Sequence, residues 1–415
     1  MSLINKLDLI SKDRKLMKID GMRIATISTL AMLMFPANAL ALDARDFADK
    51  LSATFANLGA FEITFGNAVA EGDTITLSGW DIAGLNNGRG QEILDGTVVF
   101  EGVEETAEGG YTATQAVFND IDYSDEGARI ELRNMVASGI KVFADPKADI
   151  LNSMQLYSAI NAGPFKLTID GDEVVSVASI SSTSIANDDN SEFTGGYLVT
   201  GIHGDLSKVD DSDIEEMMAV LDISEINASM SGAFSWRVGD GKMVIDDSTI
   251  SIENIGQISM SVDLLGYTLE LVQKLQNASK EIQNLDPSSN EAELKSMQLM
   301  MSMVAELSLN GMAIRFDDDS LTNKMLAFAA EEEGLSLKGM ISEIASVIPE
   351  VFASLDIPEL QEEVSAAIIT FLKDPRNIEI KASPTEPVPF LALMAASQNP
   401  SIANDLLNIS VTANQ

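Results

Sequence analysis

Two periods of apolar residues alternate along the chain. From Asp43 to Leu58 the apolar positions Phe47, Leu51, Phe55 and Leu58 recur at helical spacing among Asp43, Arg45, Asp46, Asp49 and Lys50, which predicts an amphipathic helix. The period then shortens to two. Phe61, Ile63 and Phe65 alternate with Glu62 and Thr64, and Ile75 and Leu77 alternate with Thr74, Thr76 and Ser78, as half-buried strands do. Further strands are predicted at 97–100, 129–132, 136–143, 165–169, 174–185 and 197–202. Asn86-Asn87-Gly88, Asp95-Gly96, Glu108-Gly109-Gly110, Asp170-Gly171-Asp172 and Gly195-Gly196 mark turns between and beside them.

The second half mixes both periods. Ser212 with Glu215, and Ser288 with Glu291, have capping-box spacing for two helices. Strands are expected at 228–238, 242–245, 249–252, 257–264, 307–316 and 378–382. Helices are expected at about 268–284, after Pro287, at 320–333, from Ser336 to about 355 and from Pro358 to 372. Pro384 to Pro389 reads as a rigid connector, and 406–412 as a helix end followed by a strand. The fold class is therefore α+β: a long curved antiparallel β-sheet, with helices concentrated in the C-terminal half. Residues 1–41 read as a leader and signal peptide, 42–204 as a β-rich region behind one helix, and 205–415 as an α+β region or the continuation of the same domain.

A short motif recurs within the strands: apolar, polar, glycine, apolar. It is Leu77-Ser-Gly-Trp80, Phe100-Glu-Gly-Val103, Ala137-Ser-Gly-Ile140 and Leu309-Asn-Gly-Met312. Glycine inside a strand marks a bulge or bend, and a series of them lets a long sheet curl.

The N-terminus adds a destination. Arg23, an apolar run from Ile24 to Phe35, Pro36 and the small residues Ala37, Ala39 and Ala41 have the anatomy of a secretory signal, with cleavage expected after Ala41. The apolar run is too short to span a bilayer. Residues 1–21 read as an over-extended start or an extended n-region. The expected location is the periplasm or the exterior, with a soluble mature chain.

Charge narrows the chemistry. The chain has 64 acidic and 26 basic side chains, a net charge of −38, one histidine and no cysteine. Signal cleavage removes six basic and three acidic residues and makes the balance more negative still. A polyanion repels nucleic acid, and the missing cysteines exclude thiolate sites, disulfides and the usual His/Cys zinc sites. At 46% hydrophobic residues, the chain can nonetheless bury a core.

Candidate motifs mostly have structural readings. His203 has neither an orienting acid nor a nucleophile near it in sequence. Asp120, Asp122, Ser124 and Glu131 occupy the first, third, fifth and twelfth places of a calcium loop, but Asp125 stands where that loop requires glycine. The clusters at Asp188-Asp189, Asp210-Asp211-Ser212-Asp213, Asp246-Asp247 and Asp317-Asp318-Asp319 suit turns and helix caps. Ser138 and Lys141 have an acyl-transferase spacing that works on a helix and not on a strand. Gly88-Arg-Gly90 and Gly239-Asp-Gly241 lack the remainder of a phosphate loop. No catalytic, cofactor-binding or metal-binding residue is assigned. Met297, Met300, Met301, Met303, Met217 and Met218 read first as core filler and second as the lining of an adaptable apolar groove. The leading expectation is an exported, non-enzymatic envelope protein that binds an apolar ligand such as a lipid in a groove between sheet and helices. The alternatives are an acidic structural or adhesive protein with a basic or cation-bridged partner, and a hydrolase working through carboxylates alone.

Overall fold

The computed structural model describes residues 42–415 apart from 59–61, 84–92, 126, 147–149, 210, 284, 287–288, 354–356 and 397–398. The expected signal segment, the expected turn at Asn86-Asn87-Gly88, the Gly88-Arg-Gly90 stretch, Asp210 and Ser288 thus lie outside the described residues.

Helix α1 (Ala44–Leu58) begins where Asp43 accepts the backbone N–H groups of Arg45 and Asp46 through Oδ1 at 3.1 and 3.0 Å, a direct N-cap. Strands β1 (Glu62–Glu71), β2 (Thr74–Ala83), β3 (Ile93–Glu101), β4 (Glu104–Glu105), β5 (Tyr111–Phe118), β6 (Ile121–Asp125), β7 (Ala128–Leu132) and β8 (Val136–Val142) follow. After α2 (Ile150–Met154) come β9 (Ala159–Ala162), β10 (Phe165–Ile169), β11 (Asp172–Ala186) and β12 (Glu192–Asp205). Helix α3 (Ser212–Leu221) leads to β13 (Glu225–Arg237), β14 (Lys242–Ile252) and β15 (Gly256–Leu265). Helices α4 (Leu269–Gln283) and α5 (Asn290–Glu306) precede β16 (Ser308–Asp318), and α6 (Leu321–Glu332), α7 (Leu337–Ala353) and α8 (Pro358–Lys373) precede β17 (Asn377–Ala382) and β18 (Val388–Pro389). The chain closes with α9 (Phe390–Ala396), α10 (Pro400–Leu407) and β19 (Ile409–Ala413).

All these strands join one open antiparallel sheet. Its order is β1, β2, β3, β5, β8, β9, β11, then β12 to β17 in sequence, and β19. Strands β6, β7 and β10 continue the paths of β5, β8 and β9 past a bend and pair with one another and with β11. The sheet is therefore an up-and-down meander, built from neighbours in sequence. Open, twisted sheets rarely exceed about ten strands without curling, so its length demands curvature.

The glycine motif supplies kinks. Gly79, Gly102 and Gly139 have φ of 67°, 61° and 62°, a region that favours glycine. Each resets the alternation, so that apolar residues three apart share a face: Phe100 and Val103 are both buried, as are Ala137 and Ile140. A further example, Val199-Thr-Gly201-Ile202, has φ 59° at Gly201 and a register shift toward β13. Gly311 lies beside a register shift between β15 and β16 without a positive φ.

Among the described residues, four clusters of buried residues hold the fold. In the largest, α1 lies on the first strands: Phe47 meets Phe100 edge-on at 4.8 Å and Tyr111 at 5.4 Å, above Ile75, Leu77, Val98 and Val142. Phe193, Trp236 and Val272 of α4 form the second, where Trp236 Nε1 donates to the Tyr267 carbonyl at 2.7 Å. Leu360, Val364 and Ala367 of α8 pack on Val411, and Leu326 of α6 packs with Met340 of α7.

Local details revise both capping boxes. Asp211, not Ser212, accepts the Ile214 N–H, and the N-cap of α5 is Ser289, whose Oγ accepts the Ala292 N–H at 3.2 Å. The predicted strands at 242–245 and 249–252 are one strand with a bulge at Asp246-Asp247, where Asp247 has φ 46°.

Candidate functional site

The register lines one face of the sheet with apolar residues. One row runs Ile180, Val199, Met230, Ile250, Ile258, Phe316, Ile378 and Ala413, each opposite the next, from β11 to β19. A second begins at Ala70 and passes through Ile75, Phe100, Ala116, Ala137 and Ile160 before Ser182, Tyr197 and Gly232. Beyond the β14 bulge it resumes as Met260, Ile314, Ile380 and Val411. A third joins Phe234, Ile245, Val262, Met312, Ala382 and Ile409. At about 4.8 Å per strand step, the second row traces roughly 60 Å along the sheet.

From β11 onward the opposite face is mostly polar, while on the first strands it carries the row Val69, Thr76, Val99, Val117 and Val136. Along β15, Gln257, Ser259, Ser261 and Asp263 alternate with the apolar residues, and hydroxyl pairs such as Thr249 Oγ1 with Ser259 Oγ (3.0 Å) and Ser179 Oγ with Thr200 Oγ1 (2.8 Å) bridge neighbouring strands. Arg315 there holds Asp317 through both oxygens, with Nε 2.8 Å from Oδ2 and Nη2 2.7 Å from Oδ1.

Helices cover the apolar face at its flanks. Helix α1 lies over the first strands and α8 over β17 and β19, while α2 and α4 cover Phe193, Trp236 and Met243 at one end of the strands. Helices α3 and α6–α8 connect strands at one end of the sheet, and α4, α5, α9 and α10 at the other. Between these flanks, adjacent in the register, Ile250, Ile258, Ile314 and Ile380 remain 45%, 53%, 39% and 52% exposed. These four β-branched side chains form an open apolar strip. Farther along the face, Tyr197 lies over Gly232 and reaches Ser248 Oγ at 3.0 Å, so a ring fills the space a missing side chain leaves. A depression of about 220 Å³ adjoins it, lined by Ser181–Thr183, Gly196–Leu198 and Gly232.

The other sequence candidates are tied into local structure. The stretch from Asp120 to Glu131 folds into the β6–β7 hairpin, not a calcium loop. Asp122 takes bidentate hydrogen bonds from Arg129 at 2.8 and 2.7 Å, and Arg133 bonds Glu131 at 2.7 Å. The Arg129 guanidinium holds the Asp122 carboxyl well below its ordinary value, at about 2. Asp189 caps Ser191, Asp318 accepts the Thr322 N–H at 2.8 Å, and His203 Nδ1 meets Asn227 Oδ1 at 3.1 Å. Ser138 and Lys141 sit on β8, where no helical turn brings amine to hydroxyl. Burial raises the Asp46 carboxyl, but hydrogen bonds from Lys50 and Tyr111 outweigh it and the net shift is downward. Tyr111 rises through burial and its bond to Asp46. Among the described residues, no group of three or more His, Asp or Glu is placed to hold a metal. No helix there is long and apolar enough to cross a membrane.

Methionine is the main correction. Met297, Met300, Met301 and Met303 do not fill the core; they are 52%, 59%, 42% and 36% exposed. At 100° per residue, Leu294, Met297, Met300 and Met301 share an arc of about 120°, opposite Ala292, the residue of α5 that is fully buried. The isoleucine strip itself was missed as a site, although the alternation of Ile258 and Met260 with serines already gave its face.

A family described as an uncharacterized protein matches residues 249–414, the segment that carries all four strip isoleucines. No curated protein matches the chain.

Proposed function

We propose that this is an exported, non-enzymatic envelope protein that holds an apolar ligand, an acyl chain or comparable lipid, on the open strip of its sheet. The observation that carries the proposal is the set of neighbouring isoleucines, Ile250, Ile258, Ile314 and Ile380, left open on a face that helices cover on either side. Apolar side chains in contact with water gain free energy when a ligand displaces that water, by about 25 cal/mol for each Å² buried. Carboxylates caught in caps and ion pairs, and serine–lysine spacing placed on a strand, leave little support for hydrolysis.

Charge suggests the head group. The basic side chains of α4 and α5 are already engaged: Lys274 by Glu270 and Glu306, Lys295 by Glu281 and Lys280 by the Asn57 carbonyl. With a net charge of −38 around them, a neutral or zwitterionic ligand suits the site better than an anionic one.

Native mass spectrometry of the mature chain, followed by solvent extraction, tests the reading. A co-purifying lipid, depleted by the pair Ile258→Asp and Ile380→Asp in a folded variant, supports it. A ligand-free mass, together with failure to take up a fluorescent phosphatidylcholine, overturns it. Export rests on the signal segment at 22–41, and N-terminal sequencing of the periplasmic or secreted chain should begin at Leu42.

A further inference from the structure

We infer that helix α5 is an oxidation site, at which peroxide converts a cluster of methionines to sulfoxides while the protein remains folded. Four thioethers lie within residues 297–303, all more than a third exposed, and three of them, Met297, Met300 and Met301, lie on the arc of the helix away from its buried residue, Ala292. The chain has no cysteine to react first. Met340, by contrast, is 7% exposed between α6 and α7. Methionine oxidation requires the oxidant to reach sulfur, so folding should separate the two environments.

The reaction is a two-electron transfer. A sulfur lone pair attacks one oxygen of hydrogen peroxide, the O–O bond breaks, an S–O bond forms and water leaves; the thioether is oxidised and the peroxide reduced. Each event replaces an apolar group with a polar, chiral one, and methionine sulfoxide reductases reverse it. With four such residues close together, α5 changes from an apolar to a polar surface under oxidant. An exported protein meets oxidants outside the reducing cytoplasm, but the chemistry of α5 does not depend on the ligand proposal.

Limited peroxide treatment of the folded mature chain, followed by digestion after glutamate, gives separate peptides for 294–306 and 334–343. The first should acquire up to four oxygens at an initial rate per methionine at least severalfold above that of the second, with the far-ultraviolet circular dichroism unchanged. Equal rates per methionine in the two peptides, or an unmodified 294–306 peptide under a dose that oxidises the urea-unfolded chain, would overturn the inference. Replacing Met297, Met300, Met301 and Met303 together by leucine keeps bulk and helix propensity and should lower total oxygen uptake by four. An unchanged uptake in that variant also overturns it.

Discussion

Truncating two isoleucines in different places distinguishes an open strip from a closed core. Ile75 is fully buried beneath α1, and Ile258 is 53% exposed on the strip. Ile→Ala removes three carbons, worth about 2.4 kcal/mol when fully buried at roughly 0.8 kcal/mol each. At Ile75 the cavity left under Phe47 adds to this, for an expected loss of about 3–4 kcal/mol. At Ile258 about half of the transfer free energy is at stake and solvent fills the space, so the expected loss is about 1 kcal/mol. The lower strand propensity of alanine burdens both variants alike and largely cancels in the comparison. Urea unfolding can be followed by tryptophan fluorescence, because Trp80 packs with Phe65 and Phe118 near the first core while Trp236 packs with Phe193 in the second. In parallel, Ile258→Ala should weaken uptake of an apolar probe severalfold. Equal destabilisation by the two substitutions would mean that the strip is closed in solution, and the ligand proposal would lose its site.

Other expectations follow from single contacts. Gly201→Ala forces a side chain into φ 59° with its Cβ 2.7 Å from that of Ala178, which should cost about 1–3 kcal/mol by urea titration. Arg129 holds Asp122 at about 2 in the folded chain, below the ordinary 3.8. Since the folded value is the lower one, the pair stabilises the hairpin fully above about pH 4 and loses that contribution as pH falls through 2. A carboxyl NMR titration of Asp122 with a midpoint near 4 would refute the pairing. Millimolar calcium should leave the melting midpoint unchanged, because Asp122 and Glu131 face arginines. A clear rise would instead favour the cation-bridged alternative.

The sheet was legible where alternation was clean. Ile258, Met260, Val262 and Leu264 against Gln257, Ser259, Ser261 and Asp263 gave β15 and its two faces directly. Strand β5 was not legible, because its buried residues, Tyr111, Ala113 and Ala116, are spaced by two and then by three, and three of its eight residues are threonine or glutamine. The glycine motif explains that break in period: across β3, β5 and β8 the alternation resets around Gly102, Thr114 and Gly139, so a search for strict period two loses one side of each kink. The methionines misled for a different reason. A run such as Met-Gln-Leu-Met-Met-Ser-Met at 297–303 gives an apolar composition without saying which arc faces the protein. Only the position of Ala292 against its neighbours assigns it. The strip could be drawn as a face from sequence, but its openness depends on where helices far from it in sequence, α1 among them, come to rest.

Those resting places also explain how an open meander keeps its ends from pairing. An outer strand presents unpaired backbone groups that invite another sheet. At one end, Arg45 of α1 donates from Nη1 to the Phe65 carbonyl of β1 at 3.0 Å; at the other, the Val411 N–H of β19 donates to Glu363 Oε1 of α8 at 2.8 Å. The two helices that bury the terminal parts of the apolar face thus also occupy its edges, which draws them away from the middle and leaves the isoleucines uncovered. Glu363→Leu removes the acceptor while keeping apolar bulk on the helix. The freed N–H then lacks its partner, a loss of about 1–3 kcal/mol that pairing with a second chain could restore. The net charge of −38 opposes such association at low salt, so sedimentation velocity should be run at about 0.5 M salt, where screening is strong. Concentration-dependent dimers in the variant, absent from the parent chain, are expected. A variant that stays monomeric and equally stable would show that Glu363 does not guard the edge.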